Sequence, residues 1–132
     1  MNSATRQLVI GRAANRCEYC RVPQSALSTP LQVEHVIARQ HFGGDNLENL
    51  ALACDQCNVH KGPNLSAVDP VTGTVVQLFN PRHDQWEQHF ELSKAGEISA
   101  RTPSGRATAR LLQMNTRARV VLRAILLART EI

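Results

Sequence analysis

Four cysteines form two pairs, Cys17 with Cys20 and Cys54 with Cys57, and two residues separate the members of each pair. A two-residue spacer lets one tight turn direct both sulfurs at a single ion, and tetrahedral zinc accepts four thiolates. Two vicinal disulfides or redox dithiols are the alternatives, but neither requires two matched pairs. Since no cysteine is left over, the spacing predicts a structural zinc ion (Zn2+) bound by all four.

The segment enclosed by these pairs carries polar side chains that are able to do chemistry. An acid and an imidazole are adjacent, Glu34 and His35, and two asparagines follow, Asn49 and Asn58, with Lys61 just beyond. A zinc ion bound at both ends would close this loop and offset the entropy of closing it. Side chains on a closed loop have the fixed geometry that a catalytic site requires.

Arginine dominates the positive charge of the chain. The 132 residues carry a net charge of +4, and only two of the 15 basic residues are lysines. Seven arginines lie in the segment 101–132, which contains a single acid, Glu131. Because the guanidinium group matches phosphate oxygens in geometry, this excess favours nucleic acid as a partner. A solvated helix face or arginine-rich codon usage would give the same composition.

Composition also excludes some classes of protein. The hydrophobic fraction of 42% is ordinary for a globular chain, and no apolar run approaches the ~20 residues that cross a bilayer. The first residues lack the basic start, apolar stretch and cleavage site of a signal peptide. We therefore expect a cytoplasmic protein with no membrane partner, forming one domain over residues 1–132. The sequence does not indicate its oligomeric state.

Hydrophobic periodicity predicts an α+β fold. Alternation over residues 31–38 indicates a strand, residues 47–53 a second strand or turn, and residues 54–61 a knuckle leading into a helix. A short helix over residues 4–14 precedes them. Thr102 followed by Pro103 is typical of a helix start, with an N-cap and proline at the first helical position.

A last helix is expected to begin near Thr116. We expect Arg119 and Arg123, four residues apart, to lie on its outer face. The inward face would then carry its apolar residues, which are Val120, Val121, Ala124, Ile125 and Ala128.

The combination of these pieces resembles the HNH endonuclease family, in the variant with a cysteine-ligated zinc. The matching pieces are C-x2-C, E-H-V-I-A-R, G-G-D-N, N-L, C-x2-C-N and K-G, in this order over residues 17–62. LFNPRHDQW-x2-HF and TPSGRATARLLQMN are similar to the tail of stand-alone bacterial members. The resemblance implies a ββα-metal finger with paired zinc knuckles (core 15–65). An N-terminal helix and a C-terminal β and helical extension (66–132) would flank it.

The resemblance also implies roles for individual residues. His35 matches the general base that activates water, a task suited to an imidazole that titrates near neutrality. Glu34 and Asn58 match the ligands of a catalytic divalent cation, and Asn49 matches a structural asparagine that orients the base. A histidine on a polar strand face and an asparagine that caps its helix are the plainer readings of His35 and Asn58.

Nucleic-acid contacts and the identity of the cation follow in the same way. Arg39 and Lys61 are candidates for phosphate contacts, with simple solvation as the alternative. Oxygen ligands from Glu34 and Asn58 suit Mg2+ or Mn2+. This sequence departs from the family by having glutamate at the first ligand position and asparagine at the last. Adjacent strand residues point to opposite faces, so a strand end or distortion must bring Glu34 and His35 together.

These expectations define a metal-dependent endonuclease of nucleic acid, with DNA the favoured substrate. A zinc-stabilised nucleic-acid-binding module without activity would account equally well for the cysteines and arginines. It would not account for Glu34, His35 and Asn58 at the spacing of the motif. A zinc domain with a purely structural or protein-interaction role would also leave the arginines without a function.

Overall fold

An antiparallel hairpin and a short helix form the centre of the computed structural model, which describes residues 2–132. Strand β1 (Gln32–His35) pairs with β2 (Leu50–Ala53), so that Glu34 lies opposite Ala51 and His35 opposite Leu50. Helix α2 (Asp55–Lys61) follows directly and packs against β1. This β-β-α order agrees with the predicted finger, and the mixture of helices and small antiparallel strands confirms the α+β class.

Helix α1 (Ser3–Arg12) packs on β2 from the N-terminal side. Asn2 caps it by accepting a hydrogen bond from the Thr5 amide at 2.8 Å. At its other end the Arg12 guanidinium donates to the carbonyl oxygens of Leu47 and Leu50. The helix is therefore tied to the hairpin by polar bonds in addition to apolar packing.

The rest of the chain forms two further hairpins and three helices within residues 2–132. The elements are β3 (Ser66–Val68) paired with β4 (Val75–Gln77), α3 (Trp86–His89), β5 (Phe90–Leu92) paired with β6 (Ile98–Ala100), α4 (Pro103–Leu111) and α5 (Arg117–Ala128). As predicted, Thr102 is the N-cap of α4, and its hydroxyl accepts from the Gly105 amide. Helix α4 packs on β3, β4 and β6.

One hydrophobic core joins the finger to the C-terminal extension. It is rich in aromatic edge contacts, such as Phe79 against Tyr19 and against Phe90. The Trp86 indole donates to the Tyr19 carbonyl oxygen at 2.8 Å, which satisfies its buried N–H. The two parts of the chain therefore share buried surface. None of the helices within residues 2–132 combines the length and apolar character that crossing a bilayer requires.

The face predicted for the last helix is wrong. Val121 and Ile125 are 49% and 45% exposed, whereas Arg123 is completely buried and Leu126 nearly so. The guanidinium of Arg123 donates through Nε to the Gly96 carbonyl and through a terminal nitrogen to Asn115 Oδ1, at 2.8 and 2.9 Å. Because these acceptors satisfy the guanidinium group, Arg123 can be buried, although helical periodicity alone would place it in solvent.

A buried ion pair attaches the β3–β4 turn to helix α4. Both oxygens of Asp69, which is fully buried, accept from the Arg106 guanidinium at 2.8 Å. The hydrogen bond from Arg106 lowers the pKa of Asp69 far below its ordinary value, helped by the Val71 amide and the Thr72 hydroxyl. This carboxylate is therefore ionised throughout the range in which the protein is handled.

We expect Asp69→Asn to lower the melting temperature by several degrees at pH 7 and by progressively less below about pH 4. The pKa of Asp69 is lower in the folded chain than in the unfolded one. The pair therefore stabilises the fold above the unfolded pKa, and this contribution disappears as the pH falls towards the folded pKa. Thermal melts of both proteins from pH 7 to pH 2.5 measure it. Glu91→Gln, which removes an exposed pair with Arg101, is the control. A difference that stayed constant over this range would contradict the prediction.

Candidate functional site

The four cysteines meet in one buried cluster, as their spacing predicts. Their sulfur atoms all lie within 4.8 Å of one another, and none of the four is in a disulfide, so the disulfide alternative does not apply. A tetrahedral zinc ion with bonds of ~2.3 Å requires sulfurs about 3.8 Å apart. The Sγ atoms of Cys20 and Cys54 are 3.7 Å apart. The cluster therefore fits a zinc site.

Local structure explains why the sulfurs converge. Cys17 and Cys20 lie in a tight turn, closed by a hydrogen bond from the Arg21 amide to the Cys17 carbonyl oxygen. Cys54 ends the hairpin and is the N-cap of α2, where its sulfur accepts from the Cys57 amide. The end of β2 and the start of α2 therefore bring the second pair onto the first. The cysteine cluster lies at the junction of hairpin and helix.

The charges around the cluster support a metal–thiolate centre. Burial lowers the pKa of Arg123, and the negative charge of Cys20 and Cys57 opposes this shift. Burial also lowers the pKa of Arg119, but the charge and hydrogen bonding of the nearby cysteines, Cys54 first, raise it overall. Within residues 2–132 Arg123 has no carboxylate partner. Zinc with four thiolates carries two net negative charges, and a buried guanidinium would offset one of them.

The candidate base His35 is the last residue of β1 and points to the partly exposed side of the hairpin. Its Nε2 atom lies 2.7 Å from Asp45 Oδ1, and the same oxygen accepts from Arg39 at 3.0 Å. The hydrogen bond with His35 lowers the pKa of Asp45, and Arg39 contributes to the shift. An ionised Asp45 can only accept, so Nε2 is the donor in this hydrogen bond, and Nδ1 is the basic atom of the neutral imidazole.

Glu34 lies on the opposite face of the strand, where it is buried. One carboxylate oxygen accepts from the Tyr19 hydroxyl and the other lies 3.3 Å from the Lys61 ammonium nitrogen. Burial raises the pKa of Glu34, and the positive charge of Lys61 opposes the shift. The carboxylate is thus held in place by two neighbours that the sequence analysis did not connect to it.

Lys61 does not have the position expected of a phosphate contact. Its side chain is 3% exposed, and its ammonium group also donates to the Val36 carbonyl oxygen at 2.9 Å. The buried charge of Glu34 draws the lysine inward, away from solvent. Arg39, the other predicted contact, has a side chain that is 69% exposed beside His35.

Asn49 fixes the loop between the two strands. Its side-chain oxygen accepts from the Ile37 amide at 2.9 Å, and its amide nitrogen donates to the carbonyl oxygens of Ile37 and Gly44. Its backbone carbonyl oxygen accepts from the Val36 amide. The Asn49 side chain thus bonds the backbone polar groups of Ile37 that a neighbouring strand would otherwise bond. Strand β1 therefore ends at His35, and the backbone that carries the histidine is fixed.

Asn58 lies on the first turns of α2, beside β1. Its amide nitrogen donates to Gln32 Oε1 at 2.7 Å, which leaves the amide oxygen as the atom able to bind a cation. A surface groove is lined by Glu34, His35, Arg39 and Asn58. The candidate base and both candidate cation ligands therefore border one concave surface, although Glu34 and His35 belong to opposite strand faces.

The donor set of this groove suits a hard divalent cation. Each carboxylate oxygen has two lone pairs, so Tyr19 and Lys61 leave one on each oxygen of Glu34. With Asn58 the protein offers oxygen ligands only, as Mg2+ and Mn2+ prefer. The Lys61 ammonium next to Glu34 opposes a second positive charge, so binding to the protein alone would be weak.

Sequence reasoning missed several residues that surround the site. Tyr19 lies between Cys17 and Cys20, so it is buried once the cysteines cluster. A buried tyrosine hydroxyl requires a hydrogen-bond partner, and this requirement was the signal for its contact with Glu34. Asp45 follows Gly43 and Gly44 in the turn that faces His35. An acid in this turn was the feature of the sequence that could have predicted a partner for the histidine. The burial of Arg119 and Arg123 left no local signal in the sequence.

The fold and the cluster together define a ββα finger closed by a four-cysteine metal centre. The family model described as HNH endonuclease matches residues 17–64, which contain both cysteine pairs and every candidate site residue. The resemblance to this family seen in the sequence is therefore confirmed for residues 17–64. The match indicates a nuclease-type function connected with nucleic acid. Searches of curated proteins and of solved structures found no match.

Proposed function

We propose that the chain is a metal-dependent endonuclease that hydrolyses phosphodiester bonds of nucleic acid, with DNA the favoured substrate. The observation that supports this most directly is the pairing of His35 with Asp45 at the rim of the groove shared with Glu34 and Asn58. A binding module has no need of an imidazole oriented by a carboxylate beside oxygen ligands. Residues 1–132 would act as one nuclease domain, since the finger and the extension share a core.

In this proposal His35 is the general base. Its Nδ1 atom accepts a proton from water as the water attacks the phosphorus atom in line with the leaving 3′ oxygen. Asp45 accepts the Nε2 hydrogen bond, fixes the tautomer and stabilises the imidazolium that forms. Arg39 holds Asp45 in place and still presents donors to a phosphate oxygen. As the new phosphorus–oxygen bond forms, the bond from phosphorus to the 3′ oxygen breaks and that oxygen takes a proton from solvent water. The products would then carry 5′-phosphate and 3′-hydroxyl ends.

The remaining groups orient the reaction. Glu34 and Asn58 would hold the divalent cation, which when bound stabilises negative charge on the phosphate and the leaving oxygen. Tyr19 and Lys61 keep the Glu34 carboxylate in one orientation, so that little reorganisation is required. Asn49 keeps the end of β1 fixed relative to α2. Weak binding of the cation by the protein alone means that substrate phosphate would complete its coordination.

The test is cleavage of supercoiled plasmid by zinc-loaded protein, with and without added Mg2+ or Mn2+. We expect nicked or linear product only when one of these cations is added, because zinc in the cysteine cluster has no open position for substrate. Ligation of the product without prior phosphorylation would verify the 5′-phosphate ends. If folded, zinc-loaded protein binds DNA or RNA but cuts neither with any of these cations, the inactive binding module is the correct alternative.

A further inference from the structure

Phe42 is an unusual residue in the loop between β1 and β2. Its side chain is 98% exposed, more than any other large apolar side chain in residues 2–132. Its backbone is also left-handed, with φ at +68°. A bulky residue rarely adopts this conformation, and glycine would adopt it without strain. The loop therefore keeps a strained and fully exposed phenyl ring where a glycine would fold more easily.

The ring is held outward by a rigid loop. The Phe42 amide donates to the Arg39 carbonyl oxygen at 2.9 Å, and the Gly43 amide donates to that of Ala38 at 3.1 Å. A Cβ atom at Gly43 would lie 1.7 Å from the Ile37 carbonyl oxygen, so the loop backbone packs closely on the end of β1. The Asn49 side chain also donates hydrogen bonds to the carbonyl oxygens of Ile37 and Gly44. The exposure of Phe42 is thus a fixed feature of the loop.

The neighbours of Phe42 suit nucleic acid better than a protein partner. Arg39 and His41 are both exposed and lie three residues and one residue before Phe42 in the chain. Arg39 also borders two surface grooves that both include His35. A protein interface would need a contiguous apolar patch, whereas this ring is flanked by polar and glycine residues. An aromatic ring beside a cation is the combination that stacks on a base while the cation contacts the backbone.

We infer that Phe42 stacks on a nucleobase of the nucleic acid held at the His35 groove, and this rests on the proposed function. The base would come either from a single strand or from a duplex step that the ring partly unstacks. Both sources present the same flat aromatic face to the ring.

Binding of labelled oligonucleotides by fluorescence anisotropy tests the inference, using zinc-loaded protein without Mg2+ or Mn2+ to prevent cleavage. Phe42→Ala should weaken binding about tenfold or more, since a stacked base contributes roughly this much by alanine substitution. Phe42→Trp should retain the affinity, and its added exposed indole should be quenched on binding. Val71→Ala, in the β3–β4 turn at 72% exposure, is the matched control and should change nothing. Single-stranded and duplex oligonucleotides distinguish the two sources of the base.

Phe42→Gly separates a binding role from a structural one. Relief of the left-handed strain should raise its melting temperature while its affinity falls as in Phe42→Ala. If wild type binds nucleic acid and both variants bind it equally well, the stacking role is wrong and the proposed nuclease stands. If wild type binds neither single-stranded nor duplex DNA or RNA, the proposed function and this inference both fail.

Discussion

His35→Ala is expected to reduce the rate of plasmid cleavage by about 10²–10⁴-fold, with folding and zinc content unchanged. The side chain lies at the end of β1, partly exposed, and contributes no core packing. Its removal takes away the atom that would accept the proton of the attacking water, whereas the groove, Glu34 and Asn58 stay in place. Single-turnover cleavage at saturating Mg2+ measures the loss directly.

Two companion variants make this result specific. Asp45→Asn should lose less activity, about 10–100-fold, because the imidazole remains but its tautomer and imidazolium are less well supported. His83→Ala, an exposed histidine outside the matched segment, should cleave at the wild-type rate. Equal activity of wild type and His35→Ala would assign the proton transfer to another group and remove the basis of the proposed mechanism.

Removal of zinc, or Cys54→Ser, is expected to unfold the finger. Structural zinc sites contribute on the order of 10–16 kcal/mol of apparent binding free energy in finger peptides, which exceeds the stability of most small domains. Here Cys54 is both a ligand and the N-cap of α2, so its loss affects the metal and the helix together. Circular dichroism and zinc content before and after chelation measure the effect.

The control for Cys54→Ser is Val59→Ser, on the exposed face of the same helix at 74% exposure. That variant should keep its zinc and its melting temperature within a few degrees, since it changes no ligand and no buried contact. A chelated sample that retained its native circular dichroism and thermal transition would show that core packing alone stabilises the finger.

Local spacing made part of this structure predictable. The two-residue spacing of each cysteine pair favours a knuckle, and Thr102 with Pro103 favours a helix start; both predictions are confirmed. The strand predicted over 31–38 ends at His35, because the Asn49 side chain takes both backbone polar groups of Ile37. That competition between residues twelve apart is not visible in an alternating pattern.

The buried charges were the least predictable part of the site. Helical periodicity assigns arginine to solvent, and only the packing of α5 near the cysteine cluster gives Arg123 a reason to be inside. Lys61 was expected at the surface as a phosphate contact or a solvated side chain, and its buried ion pair with Glu34 contradicts this. Such pairings depend on which elements meet in three dimensions, which a single sequence does not specify. The catalytic cation and its ligands remain predictions.

The position of Arg119 and Arg123 limits how far the finger can be transplanted. The segment 17–64 carries the ligands and the candidate chemistry, but the guanidinium groups that face its sulfurs come from α5, more than fifty residues downstream. If the finger were grafted into another scaffold without α5, the negative charge of its four zinc-bound thiolates would face the new surface without these guanidinium groups. A recipient scaffold would have to supply cations of its own at that place, so α5 is an integral part of the metal centre.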